Sequence, residues 1–121
     1  GPTFADLMPK LNEQGIDFVT VTADLIPETL DAVQNGFVDA AIGQHPFLQG
    51  YLPMYFMIEH VVNGAELPAG QVLLPAEIVT KENLSTVQER ASDPAVALEW
   101  YKTFLAENLD SIKANVVPFT D

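Results

Sequence analysis

The order strand, helix, strand between residues 17 and 43 constrains this chain more than any other feature. Asp17 to Ala23 (DFVTVTA) interleaves Phe18 with β-branched residues, the composition of a strand. A break follows at Asp24, and Pro27 suits the first turn of a helix in which Ile26, Leu30 and Val33 recur on one face. Asn35-Gly36 stops that helix, and Phe37 to Gly43 (FVDAAIG) reads as a second strand whose small residues allow close approach of neighbours. Strands alternating with helices imply an α/β fold, built on a partial parallel sheet with helical crossovers.

Before this unit, Thr3 is placed to cap a helix carrying Phe4, Leu7, Met8 and Leu11 as an apolar stripe. Pro9 should kink or shorten it, and Gly15 ends it. After Gln44-His45-Pro46 breaks the second strand, Phe47 to Asn63 reads as a long aromatic-rich helix closed by Gly64. Leu67 to Gly70 is a linker by composition, and Val72 to Thr80 (VLLPAEIVT) is a third extended segment, where Pro75 favours an edge position or a bulge. Ser92-Asp93-Pro94 opens a last helix with Val96, Trp100 and Phe104 on one face. Three strands are fewer than the five or six usual in such sheets, and a parallel sheet is normally covered on both faces. The chain is therefore expected to be part of a larger structure.

Composition narrows the function classes. At 48% hydrophobic and 18% charged residues the chain is globular in type, and 17 acidic against 5 basic residues give a net charge of -12. That charge opposes phosphate backbones and anionic membrane surfaces, and it is read as a solvated surface. Cysteine is absent, which removes disulfides, thiolate nucleophiles and thiolate metal sites together. The most apolar stretch, Tyr51 to Val62, is interrupted by Pro53 and Glu59, so neither a membrane span nor an export signal is expected in the sequence as it stands.

Catalytic patterns are thin. The sequence holds no Gly-rich phosphate loop, no G-x-S-x-G elbow and no H-E-x-x-H pair. His45 and His60 are far apart in the chain, Glu59-His60 would ligate a metal only with donors from elsewhere, and Asp110-Ser111 with a histidine lacks any motif context. No enzymatic activity, cofactor or metal is expected.

The run VTVTADLIPETLDAVQNGFVDAAIGQHPFLQGY, followed by NGAELP and LLPAEIVTKEN, resembles the C-terminal part of type I periplasmic sugar-binding proteins of the ribose- and galactose-binding group. The resemblance covers roughly residues 10 to 84. It implies a two-lobe α/β fold with sugar held between the lobes, most of the first lobe preceding Gly1. Residues 1–44 would belong to the second lobe, 45–70 would be a helix and linker packing on the first, 71–83 a returning crossing strand, and 84–121 a C-terminal helical extension beyond the usual family end. The implied role is solute binding for an ABC importer, in the periplasm or lipid-anchored outside a Gram-positive cell. The implied partners are a sugar or related polyol and the transporter's membrane subunits, with self-association expected of the isolated piece.

Sugar hydroxyls both donate and accept, so a sugar site needs acceptors fixed at element ends and apolar faces to stack on. Asp24 matches the family's ligand-binding Asp and Gln44 its hinge Gln. From the residues alone, Asp24 could equally cap the Pro27 helix and Gln44 could satisfy backbone groups at the strand end. Thr22, His45 and Phe47 are neighbours of these two. Tyr51, Tyr55 and Phe56 look at helical spacing like a packing stripe rather than a stacking platform. Two other classes stand beside the importer reading. One is the sensing domain of a bacterial transcription regulator of the same architecture, which needs a DNA-binding domain upstream; the other is a flavodoxin-like enzyme or response module, whose acidic cluster or phosphate loop is not visible.

Overall fold

The computed structural model describes residues 2–16 and 18–119, and among residues 2–8 it describes only the side chain of Leu7. Along the chain run α1 (Pro2–Glu13), β1 (Val21–Ala23), α2 (Pro27–Gln34), β2 (Ala40–Gly43), α3 (Pro46–Asn63), β3 (Gln71–Val72), β4 (Glu77–Val79), α4 (Leu84–Ser92), α5 (Pro94–Ala114) and β5 (Val116–Val117). They divide into two compact units, one of residues 1–44 with 76–99 and the other of 45–75 with 100–121. The chain is mixed α/β, and its strands form a three-stranded and a two-stranded sheet.

In the first unit β1 and β2 are parallel neighbours joined through α2, as the strand–helix–strand pattern requires. The sheet is not wholly parallel: β4 returns antiparallel on the other side of β2, with Ala41 opposite Val79 and Gly43 opposite Glu77. Alternation along the strands puts Ala41 and Val79 on one face, both fully buried against Leu30 and Val33 of α2 and Leu84 and Val87 of α4. Each buried Val or Leu side chain here contributes about 1.5–3 kcal/mol relative to exposure. On the opposite face Val21 and Ile78 are 56% and 63% exposed, so this small sheet buries one side only.

Both strands are shorter than their sequence runs because other partners capture the flanking amides. Asp17 lies outside the described residues. The Thr20 N–H donates to the Asp39 carboxylate, while the N–H groups of Asp39 and Ala40 both reach the Thr20 carbonyl, so the β1–β2 ladder starts at Val21. At the other end of the crossover Gly36 takes a left-handed φ of 75°, and the N–H groups of Gly36 and Phe37 donate to the carbonyls of Val33 and Ala32. That Schellman closure holds residues 36 and 37 on the helix instead of in the strand.

Elsewhere α1 contains Pro9 within its 12 residues, and Gly15 at φ 70° follows it. The capping expected of Thr3, and the places of Phe4 and Met8 in the stripe, lie outside the described side chains. The segment Val72 to Thr80 is two strands rather than one: β3 pairs with β5, β4 pairs with β2, and Pro75, lacking an N–H, falls in the gap. The expected extension from residue 84 holds a helix, a second helix and a strand. Asp93 separates the two helices and caps α5 through its carboxylate, which accepts the Ala95 N–H at 2.8 Å.

The second unit centres on Leu48 and Leu52 of α3 and Ile112 of α5, with Phe56, Phe104 and Leu109 packed around them. His45, the residue before α3, is 4% exposed and stacks on Trp100 at 5.6 Å between ring centroids. No helix among the described residues is long and apolar enough to cross a membrane.

Candidate functional site

Asp24 and Gln44 stand one residue past the ends of β1 and β2, at the carboxyl ends of two adjacent parallel strands. Open α/β sheets bind ligands at that end, where strand exits present side chains without burying their backbone. The Asp24 N–H donates to the Ile42 carbonyl at 2.9 Å, which extends the ladder one step and fixes where the side chain leaves the sheet. Across that step the Gln44 Nε2 donates to Asp24 Oδ1 at 2.9 Å. Two positions twenty apart in sequence thus form one polar pair, and both are exposed.

Backbone conformation sets these exits apart. Among the described residues Asp24 (φ 73°) and His45 (φ 51°) are the non-glycine residues with positive φ. Left-handed backbone is uncommon outside glycine, although Asp and His enter it more readily than most. Each parallel strand therefore ends in a left-handed turn at a polar residue, a conformation that costs free energy and tends to persist where geometry is functional.

Capping of α2 does not employ Asp24. The N-cap residue of α2 is Ile26, and no side chain there accepts a cap hydrogen bond. The Asp24 carboxylate, joined through Oδ1 to the Gln44 amide, keeps Oδ2 without a hydrogen bond among the described residues. A carboxylate oxygen in that position accepts hydroxyl protons, and an amide offers both donor and acceptor functions. The pair suits a neutral polyhydroxylated ligand better than an anion, which the carboxylate would repel.

The remaining sequence candidates fall in different places. Thr22 lies on the core-facing side of β1, with Oγ1 at 3.5 Å from the Ala23 carbonyl. In the second unit His45 is enclosed by Trp100 and Phe104, and Phe47 lies against Tyr101 with centroids 4.5 Å apart. Phe56 packs on the core of that unit as its spacing suggests, whereas Tyr51 is 40% exposed and stacks between Phe47 and Tyr55. The His60 ring meets the Ala65 carbonyl at 2.8 Å, and Ser111 donates to the Asn108 carbonyl within its own helix. Among the described residues no group of three or more His, Asp or Glu is arranged to hold a metal. A groove of about 460 Å³ in the second unit is lined by apolar residues such as Leu52, Pro53 and Phe56 and includes neither Asp24 nor Gln44. Gln49 is the polar side chain in its lining, short of the several convergent polar groups that orient a ligand.

Two polar networks, one at the amino ends of β1 and β2 and one at the last rung of the β2–β4 pairing, carry no sequence signature. Asp39 accepts from both the backbone N–H (2.7 Å) and the hydroxyl (3.0 Å) of Thr20, and these bonds, with a smaller contribution from Lys81, lower its pKa below the usual Asp value. Arg90 of α4 forms an ion pair with Glu77 of β4, the residue opposite Gly43. Arg and Glu separated by thirteen positions, on a helix and a strand, have no spacing by which sequence reasoning could join them.

The chain matches no family model, no curated protein and no solved structure.

Proposed function

We propose that the chain is a non-enzymatic solute-binding module that captures a sugar or related polyol, as part of a two-lobe binding protein serving an ABC importer. The observation that carries this reading is the Asp24–Gln44 hydrogen bond at the carboxyl ends of β1 and β2. It sets an acceptor-rich carboxylate and a donor–acceptor amide side by side, the combination that a sugar's hydroxyls require. Further support comes from the division of the chain, which passes from one compact unit to the other after Gln44 and back after Pro75. These are the places where the resemblance to sugar-binding proteins puts a hinge and a returning segment. Location outside the cytoplasmic membrane and docking on transporter subunits belong to the same proposal.

The test is a titration of the chain with D-ribose and D-galactose, repeated on Asp24→Ala and Gln44→Ala. Loss of the charged acceptor weakens binding by about 1.5–3 kcal/mol, and loss of the neutral amide by less. Equal affinity in folded Asp24→Ala and parent chains removes Asp24 from the site.

A further inference from the structure

We propose that Arg90 is a positioning residue for the Asp24–Gln44 pair, acting through Glu77 on the last rung of the β2–β4 ladder. The inference rests on the sugar-binding reading for what the pair captures, though not for how the pair is held. Among the described residues Arg90 is the buried side chain of the Lys and Arg set, 8% exposed, in a chain with only five of them. Its guanidinium meets the Glu77 carboxylate where the two side chains are 9% and 17% exposed. Glu77 faces Gly43 in the antiparallel register, and Gly43 directly precedes Gln44.

Gly43 is gripped on its other side as well. A Cβ built there would lie 2.6 Å from Leu25 Cδ1 and in ordinary contact, 3.4 Å, with Glu77 Cβ, so the glycine lets Leu25 close on the backbone beside Glu77. Leu25 directly follows Asp24. Leu25, Gly43, Glu77 and Arg90 thus form one transverse row, and the two candidate ligand residues are chain neighbours of its first two members. A rung that frayed at Gly43 would free the direction in which Gln44 leaves the sheet, and with it the 2.9 Å bond to Asp24.

An ion pair this dry adds little net stability, because desolvation of two charges offsets most of their attraction, and apolar pairs of similar volume often replace such bridges without loss. What the guanidinium supplies is direction: its Nη2 meets Glu77 Oε2, and this contact from a planar group holds the carboxylate and with it the strand that carries it. The pair is placed where direction matters to the site. On this account α4, which begins where the resemblance to sugar-binding proteins ends, belongs to the binding apparatus.

The experiment follows the Gln44 side-chain amide by ¹H–¹⁵N NMR, with no sugar present, in the parent chain, Arg90→Lys, Arg90→Met/Glu77→Met and the charge-swapped Arg90→Glu/Glu77→Arg. Asp24→Ala supplies the reference spectrum of a Gln44 amide released from Asp24. The expected result is that the double Met variant unfolds at a midpoint like the parent's while its Gln44 amide protons move to the Asp24→Ala positions, with the charge swap returning them toward the parent. Arg90→Lys, which keeps the charge and loses the planar guanidinium, moves them part of the way and tests the inference if the double Met variant does not fold. Apparent affinity for D-ribose or D-galactose then falls about tenfold in the double Met variant. A folded double Met or Arg90→Lys chain whose Gln44 amide is unchanged overturns the inference. A chain that binds neither sugar yet shows the expected amide shifts contradicts the functional reading and leaves the positioning role in place.

Discussion

Replacing Gly43 by Ala probes the packing that places the candidate site. The added methyl would stand 2.6 Å from Leu25 Cδ1, 3.1 Å from Leu25 Cγ and 3.4 Å from Glu77 Cβ. Carbon atoms rest about 3.5–4.0 Å apart, so Leu25 must retreat by about 1 Å or change rotamer. Overpacking costs about 1–3 kcal/mol, and because Leu25 is half-buried and has room to turn, the lower part of that range applies, about 1–2 kcal/mol. In a domain of 60–100 residues each kcal/mol moves the midpoint by about 4–8 °C, which gives a loss of about 4–16 °C. Thermal unfolding followed by circular dichroism measures it. The double variant Leu25→Ala/Gly43→Ala, with the clash removed, should lose less than the two single costs combined, by about 1 kcal/mol. A Gly43→Ala midpoint within a degree or two of the parent, or single costs that simply add, would refute the argument that Leu25 closes on this strand.

The acid limb of stability should depend on Asp39. Its folded pKa lies below the unfolded value because the Thr20 amide and hydroxyl bind the carboxylate. Its contribution is therefore present above the unfolded Asp pKa and disappears as pH falls through the lower folded value. Asp39→Asn should lower the midpoint at neutral pH and flatten the fall in midpoint on acidification; a parallel acid limb in the two proteins contradicts this. The exposed side of α3, where Met54, Met57, Ile58, Val61 and Val62 are 55–79% open, carries an apolar surface of the kind monomers rarely display. Sedimentation velocity should show self-association rising with concentration despite the net charge of -12, and Val61→Lys should reduce it. A parent chain that remains monomeric at every concentration sinks that expectation.

How legible these features were depends on the range over which each is determined. Proline at a first turn, Asn-Gly at a helix end and a 3.6-residue apolar repeat are local, so α2 and α3 stand within a residue or two of where the sequence places them. Strand extent is a matter of partners. Residues 18–20 and 37–39 have strand composition, yet the Thr20 amide is taken by the Asp39 carboxylate and those of Phe37 and Val38 by the Ala32 carbonyl of α2, which composition does not record. For the same reason one extended run around Pro75 becomes strands in two sheets. The helix from Leu84 to Ser92 contributes Leu84 and Val87 to the core, but its short amphipathic pattern was absorbed into a single helical extension. Asp24 and Gln44 were singled out by resemblance, and their hydrogen bond is a product of parallel pairing twenty residues apart. Arg90 and Glu77 meet only after β4 and α4 have folded together.

The central claim, that Asp24 and Gln44 receive a sugar, is tested most directly by residue-resolved NMR titration of this chain with D-ribose and D-galactose. Two exposed residues supplying net hydrogen bonds of about 0.5–3 kcal/mol each place the affinity near the millimolar range, where binding is worth about 4 kcal/mol. The account predicts saturable shifts of the Asp24 backbone amide and the Gln44 side-chain amide with at least one of the sugars, lost in folded Asp24→Ala. Resonances at these two residues that stay still through the titration, or shifts that persist unchanged in Asp24→Ala, would contradict it.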